Sequence, residues 1–173
     1  MFTKTTRLIL IVLCLLLASC EKKTDYEIGE GIEIYLTTAP YTFHYQIDYS
    51  AVDFDTVELH DTPMLRYNNI LKYDTLINKM TLGISHDSLQ LGDAGVYGRM
   101  FVVTVDKQPV YCGFKWRVIS SVACNWIFIE EPYPELDGLY DDEIKILFGS
   151  NQKPDPRMDR RIIDRLKADE KID

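Results

Sequence analysis

A chain of 173 residues with 27 acidic and 19 basic side chains carries a formal net charge of −8. That length suits one domain with a substantial core. A surface so acidic repels polyphosphates and anionic headgroups, so nucleic acid is the first partner class to be set aside.

The first element in chain order is an export signal. Lys4 and Arg7 introduce an almost unbroken apolar run from Leu8 to Leu17, ten residues long and therefore too short to span a bilayer. Leu17-Ala18-Ser19-Cys20 follows. These four residues resemble the lipobox of bacterial lipoproteins. The resemblance implies cleavage before Cys20, diacylglycerol on its sulfur and a further acyl chain, such as palmitate, on its new amino group. Several acyl chains hold a protein on a membrane durably. An ordinary signal peptide that happens to contain Cys20 is the competing reading. Residues 1–19 are thus expected to be a cleaved signal, 20–30 a tether and 31–173 a single globular domain. The processed chain has 154 residues with 17 basic against 27 acidic side chains, a net charge of −10. Its start, Glu21-Lys22-Lys23-Thr24-Asp25, is mixed in charge. It lacks the dense acidic cluster that resembles a surface-export signal in some Gram-negative lipoproteins. The expected address is the periplasmic face of the outer membrane, with exposure at the cell surface left open.

Residues 31–38, GIEIYLTT, put Ile32, Ile34 and Leu36 on one face and Glu33, Tyr35 and Thr37 on the other, a strand at period two. After Pro40, YTFHYQIDY alternates strictly, with Tyr41, Phe43, Tyr45, Ile47 and Tyr49 against Thr42, His44, Gln46 and Asp48. The aromatic face is either core or an exposed platform for glycan or peptide. Alternating apolar residues of a half-covered strand favour core. A further strand is predicted at Thr56–Leu59, a helical turn near 68–73, a strand at 79–85, and a brief helix in 86–98 before its glycines. The run 100–105 is Val-rich and strand-like, Asp106–Pro109 a turn, and Val110 opens the partner strand of a hairpin. Residues 130–157 read as an acidic, Pro-containing loop region, within which 144–148 suits a strand or a helical turn. Pro154-Asp155-Pro156 introduces a C-terminal helix from Arg157 to Asp169, capped by Asp155 or Asp159, with Ile162, Ile163 and Leu166 as its apolar stripe.

The fold class is therefore α+β: strand-rich, mainly antiparallel, with one C-terminal helix and room for one short internal helix. Residues 63–129 run as Pro63, NNILKYD, a strand, a glycine-containing connection, FVVTVDKQPVYCG, a serine pair and a strand ending IFI. This order resembles the periplasmic head of the bacterial protein-export component SecD. The likeness spans under half the chain, implies an exported α+β module and carries no catalytic residues.

Cys14 leaves with the signal and Cys20 takes lipid, so Cys112 and Cys124 are the remaining thiols. In an oxidising compartment such a pair usually bonds. If the strands holding them pair antiparallel about Val118, Cys112 faces Cys124 and a disulfide closes the hairpin. Two buried thiols that never meet are the alternative. A nucleophilic cysteine needs a base, and His44, His60 and His86 belong to other segments. Ser120-Ser121 sits in neither a G-x-S-x-G elbow nor a Ser-x-x-Lys motif. The histidines form no i, i+4 pair, and Asp137-Gly138-Leu139-Tyr140-Asp141-Asp142-Glu143 lacks the ligand alternation of a calcium loop. Nothing calls for a metal or cofactor. Two functions from different classes remain. One is a non-enzymatic binding or scaffolding lipoprotein of the cell envelope with a protein or glycan partner. The other is a small periplasmic hydrolase whose carboxylates converge only in the fold.

Overall fold

The computed structural model describes residues 25–39, 48–89, 94–130, 140–149 and 153–172. Seven strands form one mixed, mostly antiparallel sheet: β1 (Ile32–Leu36), β2 (Ile70–Asp74), β3 (Lys79–Leu82), β4 (Arg99–Val105), β5 (Gln108–Trp116), β6 (Ile127–Glu130) and β7 (Glu143–Phe148). Among the described residues one helix, α1 (Arg160–Ala168), follows, and short 3-10 turns punctuate the connections. The class is α+β. Strand order is β1-β4-β5-β6-β7-β3-β2.

The two edges of this sheet are joined by one stretch of chain. Along the outer side of β1, Leu59 bridges Thr37 and Leu65 bridges Ile34, both antiparallel. Five residues later Ile70 pairs with Leu82 of β3 at the opposite edge. Five residues reach about 17 Å at most, so the sheet must curl until its edges meet. Residues 59–74 act as one interrupted closing strand, and the result is barrel-like. β1, β3, β5 and β6 run one way and β2, β4 and β7 the other. The starts of the first set and the ends of the second therefore share one end. α1 lies there, since Arg161 donates to Pro109 O and Arg165 pairs with Asp106 in the β4–β5 turn. We call it the helix end.

Register then assigns the inner face. Ile34 pairs with Val103, Val103 with Tyr111, Ile129 with Ile146 and Met80 with Ile144. These residues with Phe101, Ile127, Tyr73 and Leu82 form an apolar interior, and Ile162 and Leu166 of α1 are buried with it. Gly113 lies on this face because a Cβ there would sit 2.3 Å from Phe101 Cζ. β4 and β5 are also covered outside. Tyr49, in a 3-10 turn, sets its ring edge-on to Phe114 and Trp116 at centroid distances of 4.7 and 5.3 Å.

The N-terminal segment is less free than a tether. Tyr26 is buried, its N–H donates to Asn68 Oδ1, and its carbonyl accepts from Arg66 and Asn68. Gly31 takes φ +73 and lies where any Cβ would meet the Tyr67 ring at 2.1 Å. Tyr67 in turn donates to Asp169 Oδ2 at 2.8 Å, beside Arg165, which pairs with Asp169 at 3.0 Å. Lys171 donates to Tyr67 O and Ile70 O, and Tyr73 N–H donates to Lys171 O. Both termini of the domain are thus fastened to the same aromatic residue.

Several elements differ from those the sequence suggests. The strand expected at 56–59 is only the Leu59 bridge to Thr37, where Thr38 N–H donates to Glu58 O and His60 N–H to Leu36 O. The turn near 68–73 resolves into a 3-10 turn at Tyr67–Asn69 followed by β2, and the brief helix in 86–98 into a 3-10 turn at His86–Ser88. Within the region 130–157, the stretch 144–148, which suited a strand or a helical turn, is the strand β7, and Ile144 and Ile146 are buried between β6 and β3. Asp106 and Lys107, at φ 48 and 66, make a two-residue turn, so the second strand begins at Gln108 with Pro109 at a bulge. Of the aromatic strand predicted at 41–49, Tyr41, Phe43, Tyr45 and Ile47 lie outside the described residues. Tyr49 is in a 3-10 turn rather than a strand, buried against the outer face of β4 and β5, and Asp48 is exposed.

Candidate functional site

The curled sheet leaves an open seam. Where the closing strand is interrupted, β1 and β3 lose direct contact with it on the same flank. Leu36 from the end of β1 and Ile84 from just beyond β3 lie on either side of residues 60–69. The cleft between them has a volume of about 570 Å³, within the range of small-molecule sites. Thr62-Pro63 breaks the strand, and Met64 and Pro63 add apolar surface. His60, Asp61, Arg66, Asn69 and Ser88 supply the polar groups.

Backbone bonds hold these side chains in place. His60 N–H donates to Leu36 O, Leu65 and Ile34 exchange both of their bonds, and Gly83 N–H donates to Asn69 O. Arg66 is the notable charge. Its Nη2 donates to Tyr26 O at 3.0 Å, its Nε is buried with no acceptor, and it forms no ion pair among the described residues. In so acidic a chain, a guanidinium without a carboxylate partner can serve an incoming acceptor. Arg66 also faces the Tyr35 phenol. That phenol is raised above its usual range by burial and by its bond to Glu33, with Arg66 opposing. Glu33 Oε2 accepts from Tyr35 at 2.6 Å and from Gly29 N–H at 2.7 Å. Chemically the cleft offers one cation, one carboxylate, one imidazole and an apolar floor. Among the described residues Asp61 is the one carboxylate that lines it.

No protein-family model, no curated protein and no solved structure matches the chain. Its function must be read from its own residues.

The cysteines come out differently from the predicted hairpin. β5 and β6 are parallel, with Phe114 level with Phe128 and Trp116 with Glu130. Cys112 sits opposite Val102 of β4, and Cys124 lies in the connection before β6. An antiparallel return about Val118 needs a tight turn, and Arg117–Trp126 has no Gly or Asn pair to make one. The chain instead crosses back to the helix end before entering β6. That path places Trp126 so that its Nε1 donates to Cys112 O at 2.9 Å. Both cysteines are free thiols in this structure. Burial pushes each up to about 12, with Cys124 a minor contributor to the rise at Cys112. A thiol held so far above neutral pH is a poor nucleophile. Ser120 accepts from Val122 N–H and donates to Val96 O, a turn role as the sequence suggests. Cys20 lies outside the described residues. Among the described residues no cluster of three or more His, Cys, Asp or Glu is arranged to hold a metal.

The cleft residues escaped the sequence reading. Their only local sign is the Thr62-Pro63 break between two apolar stretches, which marks an interrupted strand once its neighbours are known.

Proposed function

We propose that this chain is a lipid-anchored lipoprotein of the bacterial cell envelope that acts by binding rather than by catalysis. Its ligand or partner segment, protein or glycan, enters the seam cleft beside Arg66. The observation that carries the reading is Leu17-Ala18-Ser19-Cys20 behind Lys4, Arg7 and a ten-residue apolar run, five residues ahead of Asp25, where the domain begins. A mixed cleft with a cation lacking an ion-pair partner supports binding. The outer membrane, facing the periplasm, is the proposed site of residence, because the tether lacks a dense acidic cluster. The alternative, a glycosidase-like hydrolase, works through two acids facing one another; among the described residues the cleft is lined by one carboxylate, Asp61. Radiolabelled palmitate should enter the full chain expressed in a bacterium and fail to enter Cys20→Ala. Equal labelling of the two would overturn the anchor.

A further inference from the structure

The helix end of the domain carries an unusual hairpin tip. Between β2 and β3 the chain turns through Thr75-Leu76-Ile77-Asn78. The turn's own polar groups fix it. Asp74 Oδ1 accepts from the N–H groups of Leu76 and Ile77, and Asn78 takes φ 53 while accepting from Tyr73 Oη–H. Asn78 O also accepts from Ile146 N–H, tying the tip to β7. None of these bonds uses the Leu76 or Ile77 side chains. Yet Leu76 is 91% exposed and Ile77 46% exposed on a rigidly held turn. Turn positions of this kind are ordinarily polar, so two aliphatic side chains held in water call for an occupant.

The course of the N-terminal segment says which occupant. Asp25 and Tyr26 are fixed on the same end of the sheet, through Asn68, Arg66 and the Arg165 guanidinium over the Tyr26 ring. Gly31 is bonded to Asp106 in the β4–β5 turn, which belongs to that end too. Cys20 is five residues from Asp25, about 18 Å at full extension. A domain of this length has a radius of gyration of about 15 Å, so it is wider than its leash is long. If Cys20 is acylated, the domain cannot turn its helix end away from the bilayer. Ile28, 44% exposed in the turn after Tyr26, lies on that end as well.

We infer that the Leu76–Ile77 tip is a membrane contact: the hairpin inserts these side chains at the headgroup–acyl boundary of the membrane that carries the anchor. Attachment is then two-point, with acyl chains at Cys20 and an aliphatic wedge at the β2–β3 turn. The inference rests on the proposed lipidation of Cys20, and the test separates the two.

The lipidated full chain is purified and reconstituted into vesicles of phosphatidylethanolamine and phosphatidylglycerol, with or without lipids brominated in the acyl chain, which quench tryptophan on contact. Leu76→Trp places an indole at the tip. Ile119→Trp places one at the opposite end, where Ile119 is 75% exposed beyond β5. Trp116 and Trp126 are buried and supply a constant background. Leu76→Trp should lose at least half of its added fluorescence in brominated vesicles, while Ile119→Trp keeps its own. Protein that floats with the vesicles but shows equal quenching at 76 and 119 overturns the membrane contact and leaves the anchor standing. Protein that does not float overturns both. A Leu76→Asn variant, which retains the turn bonds, should float as before yet leave the vesicles faster on dilution, by threefold or more. An unchanged rate overturns the wedge.

Discussion

Replacing Gly113 by alanine tests the inner packing directly. The new methyl would sit 2.3 Å from Phe101 Cζ, 2.8 Å from its Cε2 and 2.9 Å from Ile127 Cγ2. Comfortable carbon contacts are about 3.5–4.0 Å, so the overlap exceeds an ångström on the ring. Phe101 and Ile127 are both fully buried and cannot swing into solvent. Overpacking of this kind costs about 1–3 kcal/mol. The smaller backbone entropy of alanine in the unfolded chain returns about 0.4–1 kcal/mol. A net loss of about 1–2 kcal/mol follows, and at about 2–4 °C per kcal/mol for a domain of this size the melting temperature should fall by roughly 2–8 °C. Equilibrium urea denaturation and calorimetry read both quantities. The cause is checked by Phe101→Leu, which removes the ring atoms that clash. Gly113→Ala with Phe101→Leu should then cost less than the two changes summed, by roughly 0.5–2 kcal/mol as for other residues in contact. A Gly113→Ala protein as stable as the wild type, or strict additivity in the pair, would refute this account of the sheet's inner face.

Two further outcomes are expected. In native protein at pH 8, iodoacetamide should modify Cys112 and Cys124 slowly, because burial raises both thiols to about 12; in denaturant without reductant both should be alkylated at once, and an intact mass showing neither modified would reveal a disulfide instead. Stability should hold from neutral pH down to the ordinary carboxylate range and fall below it. For Asp155, Asp169 and Glu143 burial acts to raise the carboxyl but is outweighed by partners (Arg157; Tyr67, Tyr26 and Arg165; Lys79), and Asp159 is lowered first by its bonds to Arg161. Folding favours the ionised form of all four, so their contribution is present above the unfolded pKa and is lost as pH drops through the lower folded values. Asp169→Asn should flatten part of that decline in denaturation curves between pH 5 and 2, and an unchanged slope would remove the Tyr67–Asp169 contact from the account.

The sequence revealed what short-range periodicity can encode. The alternation at 31–38 placed Ile32, Ile34 and Leu36 on one face, and that face is the interior. The Val-rich run and its turn at Asp106 gave the central hairpin, and Pro154-Asp155-Pro156 led into the helix, which starts at Arg160 after a 3-10 turn rather than at Arg157. What stayed hidden was every relation set by distant segments. Nothing local in IFIE distinguishes a strand running parallel to β5 from one running against it. The choice follows from the path of residues 117–126 across the sheet. The pattern at 144–148 left strand and helical turn open, and only β6 and β3 on either side decide for the strand. The seam cleft is illegible for the same reason, since it exists only because Leu65 and Ile70 bond to opposite edges.

If the chain is exported, as proposed, the position of α1 in it has a consequence. Ile162 and Leu166 fill the helix end of the interior, and Tyr73 N–H bonds to Lys171 O while Ile172 bridges the outer side of β2. These contacts join residues about a hundred positions apart, so they form late and only after the intervening chain is free to bring them together. A polypeptide threaded through a membrane N-terminus first therefore delivers its keystone last. Until residues 160–172 emerge, the leading strands lack the plug that makes their interior dry and the tail that covers β2. On that proposed route the unfinished chain would stay pliant enough to thread and would commit to its shape only on the far side.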